Sequence, residues 1–105
     1  MNEEQQRITI AEACGWTKIS DWKAAGINGQ HPTEPWTEVI PDYLHDLNAM
    51  HKAEKWLIED DQHAYGCYCI DLQEEYGNTV HLTAAQRAEA FLRTIGKWTT
   101  NQNEL

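Results

Sequence analysis

Thr83-Ala84-Ala85-Gln86-Arg87-Ala88-Glu89-Ala90-Phe91-Leu92-Arg93-Thr94-Ile95-Gly96 is the stretch that decides the fold class. Thr83 and Gln86 stand at the spacing of a capping box, in which each side chain satisfies the other residue's backbone N–H. Ala84, Ala88, Phe91, Leu92 and Ile95 recur every three or four residues and make one apolar helix face. Gly96 follows where a left-handed residue stops a helix, and Trp98 can fold back against it. A second helix reads through Leu47-Asn48-Ala49-Met50-His51-Lys52-Ala53-Glu54-Lys55-Trp56-Leu57-Ile58, with Asp42 or Asp46 to cap it. Leu47, Met50, Ala53, Glu54 and Leu57 fall near one stripe, with Ala49 and Trp56 beside it. Glu59-Asp60-Asp61 is wrong in sign for a helix C-terminus, which places the end near Ile58 or Glu59.

Two one-faced helices need a layer to cover them. Between them, Tyr68, Ile70 and Leu72 alternate with Cys67, Cys69 and Asp71 as in a half-buried strand. Tyr65, Cys69, Leu72 and Tyr76 also fit a helix, and β propensity favours the strand. Tyr76-Gly77-Asn78-Thr79 reads as a turn and Val80-His81-Leu82 as a second short strand. Upstream, Thr9 and Glu12 frame a short helix, with Thr9 as N-cap. Gly26, Gly29, Pro32, Pro35 and Pro41 mark 26–41 as a loop with a tight turn at Asn28-Gly29, pinned to the core by Trp36. Trp16 to Trp36 can add a strand or cover a sheet edge. The expected architecture is α+β: two main helices on a small antiparallel sheet, with a short N-terminal helix. A single domain spans 9–98, between a flexible N-terminus over 1–8 and a flexible tail over 99–105.

The chain has 105 residues, enough for one domain with a thin core. Eight basic against 17 acidic residues give a net charge of -9, which repels nucleic acid at long range and argues against direct duplex binding. No apolar run reaches membrane-spanning length, and the first residues carry no secretory pattern, so the expected location is the cytoplasm.

The segment Ile40-Pro41-Asp42-Tyr43-Leu44-His45-Asp46-Leu47-Asn48-Ala49-Met50-His51-Lys52-Ala53-Glu54-Lys55, the closing segment Thr83–Trp98, and an early Ile10-Ala11 and Gly15-Trp16 together resemble a family of small phage proteins described as carrying a phage ABA sandwich domain. The resemblance covers most of 9–98. It implies a small sheet between helices, no assigned catalytic residues, and an accessory product of a phage or prophage acting in the cytoplasm of a bacterial host.

Asp46, His51 and Glu54 form the most suggestive polar set. His51 and Glu54 share a helix face, as a general base and its orienting carboxylate would, or as members of a metal-dependent hydrolase site. The plainer reading makes Asp46 a cap and leaves the pair to hydrogen bonding. Arg87, a cation in an unfavourable first turn, is expected to reach Glu54 or Asp46. His63, Cys67 and Cys69 have ligand chemistry for zinc, with Cys14 or His81 to complete four, but no second spaced pair accompanies them. Read as packing, the cysteines are small apolar residues. No cofactor motif is present.

Binding is the better-supported class. Trp36 and Trp56 are candidate contact residues, because tryptophan concentrates binding energy at interfaces. Asp60, Asp61, Glu74 and Glu75 lie in a run without Lys or Arg and make a candidate negative patch for a basic partner. The expected function is a small phage-encoded acidic interaction protein, with an inhibitor of a host defence protein as one concrete form. The alternatives are a small metal-dependent hydrolase around Asp46, His51 and Glu54, and a virion structural or assembly component. A homodimer is compatible with each.

Overall fold

The computed structural model describes residues 1–22, 26–77 and 82–99. Among these residues the order is α1 (Glu3–Ala13), β1 (Thr17–Trp22), β2 (Gly26–Gln30), β3 (Thr37–Val39), α2 (Leu47–Asp60), α3 (Gln62–Tyr76) and α4 (Ala84–Thr94). The chain is an α+β fold with a small three-stranded antiparallel sheet and a short N-terminal helix.

Helix α1 starts well before Thr9. Asn2 Oδ1 accepts from the Gln5 N–H at 2.7 Å, and Gln5 Oε1 accepts from the Asn2 N–H at 3.0 Å. That capping box, with Glu3 and Glu4 in the first turn, replaces the flexible lead-in expected over 1–8. Thr9 lies inside the helix and its hydroxyl donates to Gln5 O. Buried Gln6, Ile10 and Ala11 anchor the helix.

Strands β2 and β3 come from the 26–41 segment expected as loop, and β1 from the Trp16–Trp36 region read as able to add a strand. Asn28 and Gly29 lie within β2, so the tight turn predicted there is corrected. A Cβ at Gly29 would stand 3.0 Å from Ile19 Cγ1 and 3.3 Å from Ile40 Cγ2. Glycine here serves close packing inside a strand. The pairing shifts between Thr17↔Gln30 and Ser20↔Asn28, and Lys18 takes a positive φ of 52°. This is a bulge that sets Ile19 against Gly29. Trp36 does not pin the segment to the core: it is 52% exposed and leans on His31 at a ring distance of 6.0 Å.

Asp46 caps α2, its Oδ1 accepting from the N–H groups of Asn48 and Ala49 at 3.0 and 3.4 Å. The helix runs on to Asp60, past the end expected from charge. The reason is Asp61, which closes α2 through its N–H to Leu57 O and opens α3 by accepting the Ala64 N–H at 3.1 Å. The carboxylates that are unfavourable for α2 are favourable for α3. Helix α3 replaces the strand expected over 67–72, and it ends at Gly77, with φ 77°. The turn expected at 76–79 and the strand at 80–82 fall largely outside the described residues. The capping box at Thr83 and Gln86 is present in α4, and Gly96 has φ 76°. The tail expected over 99–105 is, apart from Thr99, outside the described residues.

Helix α4 packs on α1, α2 and α3, and α2 packs on α3. Ile10, Met50, Leu57, Tyr68, Phe91 and Leu92 are the fully buried centre, with Tyr68 edge-on to Phe91 at 6.3 Å. No helix among the described residues is long and apolar enough to cross a membrane.

Candidate functional site

Three helices bring their polar groups to one carboxylate. Glu54 faces inward from α2 and is only 8% exposed. Its Oε2 accepts from Arg87 Nη1 of α4 at 2.9 Å and from the Tyr68 hydroxyl of α3. Its Oε1 pairs with His51 Nδ1, one turn away, at 2.8 Å. Burial, and then the hydrogen bond to Glu54, push the Tyr68 hydroxyl far above its usual range. Beside the cluster lies a cleft of about 270 Å³ lined by Tyr65, Tyr68, Cys69, Gln73 and Arg87 among others.

The expected tie from Arg87 is therefore made to Glu54, and His51 and Glu54 do meet. Asp46 is not part of this set, since its carboxylate caps α2. Both oxygens of Glu54 are occupied and its charge is balanced by Arg87. In the reading with His51 as general base, the His51–Glu54 contact is the one an orienting carboxylate would make. The arrangement also pins α2, α3 and α4 at one point through a paired, hydrogen-bonded buried charge.

The proposed metal ligands do not gather. Cys67 Sγ lies 3.9 Å from His63 Nε2 on the outer face of α3, while Cys69 lines the Tyr65–Arg87 cleft. Cys14 is hydrogen-bonded to Tyr43 elsewhere, its thiol pushed by burial up to about 12. His81 is outside the described residues. Among the described residues no three His, Cys, Asp or Glu side chains cluster closely enough to hold an ion.

The candidate contact residues separate into two regions. Trp36 is exposed beside β3, and its indole N–H donates to Glu38. Trp56 is half-buried, packed on Phe91 at 6.3 Å. The carboxylates sit at the two ends of α3. Asp60 and Asp61 precede its first turn, and Glu74 and Glu75 occupy its last, about 20 Å along the axis at 1.5 Å per residue. Asp60 and Glu74 are exposed, whereas Asp61 also caps α3 and Glu75 lies 3.6 Å from Arg93. His63, Cys67, Ile70 and Glu74 form an exposed stripe between those ends, with Ile70 55% exposed. Ile70 is the surface residue that reading the segment as a strand concealed. No Lys or Arg occurs between Lys55 and Arg87.

No protein-family model matches the chain, no curated protein matches it, and no solved structure matches its fold.

Proposed function

We propose that this chain is a small phage-encoded acidic interaction protein that docks on a basic host protein through the outer face of α3. Inhibition of a host defence protein by occlusion is the concrete form. The phage assignment is supported by the resemblance of Ile40–Lys55 and Thr83–Trp98 to the small phage proteins. The docking assignment is carried by one observation: exposed Ile70 lies on a helix framed at both ends by carboxylates and free of Lys and Arg. An apolar centre with a charged rim is how interfaces combine affinity with steering. The hydrolase reading is supported less, because Asp46, its third member, caps α2 instead of joining His51 and Glu54.

The test compares wild type with an Asp60→Lys/Glu74→Lys variant and with Ile70→Asp, in capture from bacterial host lysates followed by association kinetics with the purified partner. A saturable partner whose association slows on charge reversal, most at low salt, and is lost with Ile70→Asp supports the reading. A partner indifferent to both variants overturns it.

A further inference from the structure

A larger cleft lies away from α3. It has a volume of about 580 Å³ and opens between α2, the end of β2 and the segment leading into Tyr43. That volume is within the usual range of small-molecule sites, about 300–1,000 Å³. Its walls are Trp16, His31, Tyr43 and Trp56, with Lys52 and Lys55 from α2. We infer that this cleft binds a small planar aromatic anion, of which a nucleoside monophosphate is the type.

Trp16 and His31 lie 5.2 Å apart at a tilt of 60°, and Trp56 comes from the opposite element. Trp16 is buried and backs His31, so half-buried His31 and Trp56 are the rings that a flat ligand can reach. The polar atoms behind them are already spent: Trp16 hydrogen-bonds the Tyr43 hydroxyl, which hydrogen-bonds Cys14. His31 Nδ1 accepts the Thr33 N–H at 3.1 Å, which in the neutral ring leaves the proton on Nε2 as a donor.

Arg87 and Arg93 are held by carboxylates, and Arg7 donates to Ile40 O and Pro41 O. Lys52 and Lys55 make no ion pair among the described residues, yet they stand three apart on α2 at the rim of the cleft. Two neighbouring ammonium groups repel each other, and an anion between them relieves this. Glu38 also lines the cleft and takes the Trp36 N–H. It opposes a ligand with several charges, which favours one phosphate over three, and it can accept from an exocyclic amine.

The test is calorimetric titration of the full-length chain with adenosine monophosphate, adenosine, inorganic phosphate and benzoate. Lys52→Ala/Lys55→Ala and Trp56→Leu are titrated alongside, with circular dichroism to verify folding. Saturable one-to-one binding of adenosine monophosphate is expected, weakened about tenfold or more by the lysine variant, as for loss of a charge-assisted contact. Adenosine and phosphate alone bind at least as weakly as that variant does. Binding of benzoate but not the nucleotide retains the aromatic-anion site and assigns it to a carboxylate ligand. Both lysines are exposed, so this variant remains informative if Trp56→Leu fails to fold. Absence of saturable binding by either aromatic anion, or binding unchanged in the lysine variant, overturns the inference.

Discussion

Arg87 and Glu54 stand 33 residues apart in sequence and 2.9 Å apart in space, with the Tyr68 hydroxyl on the same carboxylate oxygen. One contact thus fixes three helices in a chain whose core is thin. Removing one partner of a buried pair strands the other, at a cost of about 3–5 kcal/mol. Arg87→Met is expected to lose stability on that scale in urea unfolding. Glu54→Gln is expected to lose less, about 1–3 kcal/mol, because the amide keeps an acceptor for Tyr68. A double variant, Glu54→Leu/Arg87→Met, should recover much of the loss. Equal losses in the single and double variants would show that the pairing is not what holds the helices.

Two glycines separate close packing from helix propensity. A methyl at Gly29 has Ile19 Cγ1 at 3.0 Å, the Thr17 carbonyl at 3.2 Å and Ile40 Cγ2 at 3.3 Å, with no room on any side. Gly29→Ala is expected to cost about 1–3 kcal/mol as an overpacked site. Nothing lies within 4 Å of the equivalent position at Gly66, inside α3. Gly66→Ala is expected to stabilise the chain by about 0.5–1 kcal/mol, the usual helix-interior difference. Thermal unfolding checks both signs. A destabilising Gly66→Ala would contradict the helical assignment of this segment.

Alkaline pH should unfold the protein through groups that the fold keeps protonated. Burial raises Cys14 from 9.0 to about 12, and Tyr43 and Tyr68 are also shifted upward, chiefly by burial. In the unfolded chain the thiol ionises near 9.0 and the phenols near 10.0. Stability from these groups is therefore complete below about pH 9 and declines as pH rises toward the folded-state values. Each group contributes a slope of about 1.4 kcal/mol per pH unit within its window. Urea unfolding from pH 8 to 11 should show a decline that steepens above pH 10, when the tyrosines join. A flat profile would mean that these groups titrate alike in both states.

Legibility in the sequence followed how much of each element's stabilisation is local. Helices α2 and α4 carry both a cap and a broad apolar face, and both were readable from Asp46 and from Thr83–Gln86. Helix α1 has an equally local signal, the Asn2–Gln5 box, hidden among polar residues that read as a frayed end. Helix α3 buries only Tyr68 and Leu72, so its periodicity is weak and Cys67–Leu72 alternates like a strand. The legible sign there was Asp61, which looks misplaced until it is read as the cap of a following helix. Strand β2 was masked by Asn28-Gly29, whose turn chemistry is overridden by Ile19 and Ile40 closing on the glycine. In the polar cluster, the His51–Glu54 and Arg87 contacts follow from helical spacing and charge. The Tyr68 contact does not, because it exists only once 67–72 is helical.

The acidic patch at the ends of α3 divides into residues with different duties. Asp61 Oδ1 accepts the Ala64 N–H, so Asp61→Lys removes a cap and should cost about 1 kcal/mol of stability. Asp60 is exposed and holds no cap, so Asp60→Lys should stay within about 0.5 kcal/mol of wild type. Glu75 is tied to Arg93 at 3.6 Å, whereas Glu74 makes no ion pair among the described residues. Asp60 and Glu74 are therefore the carboxylates with charge to offer a partner, and reversing them should slow association without changing unfolding. Asp61→Lys should disturb stability first. Unfolding midpoints for the single variants, set beside association rates at low and high salt, separate the two effects. Equal stability losses at 60 and 61 would refute the capping assignment. An association rate insensitive to Asp60→Lys/Glu74→Lys would refute steering by α3.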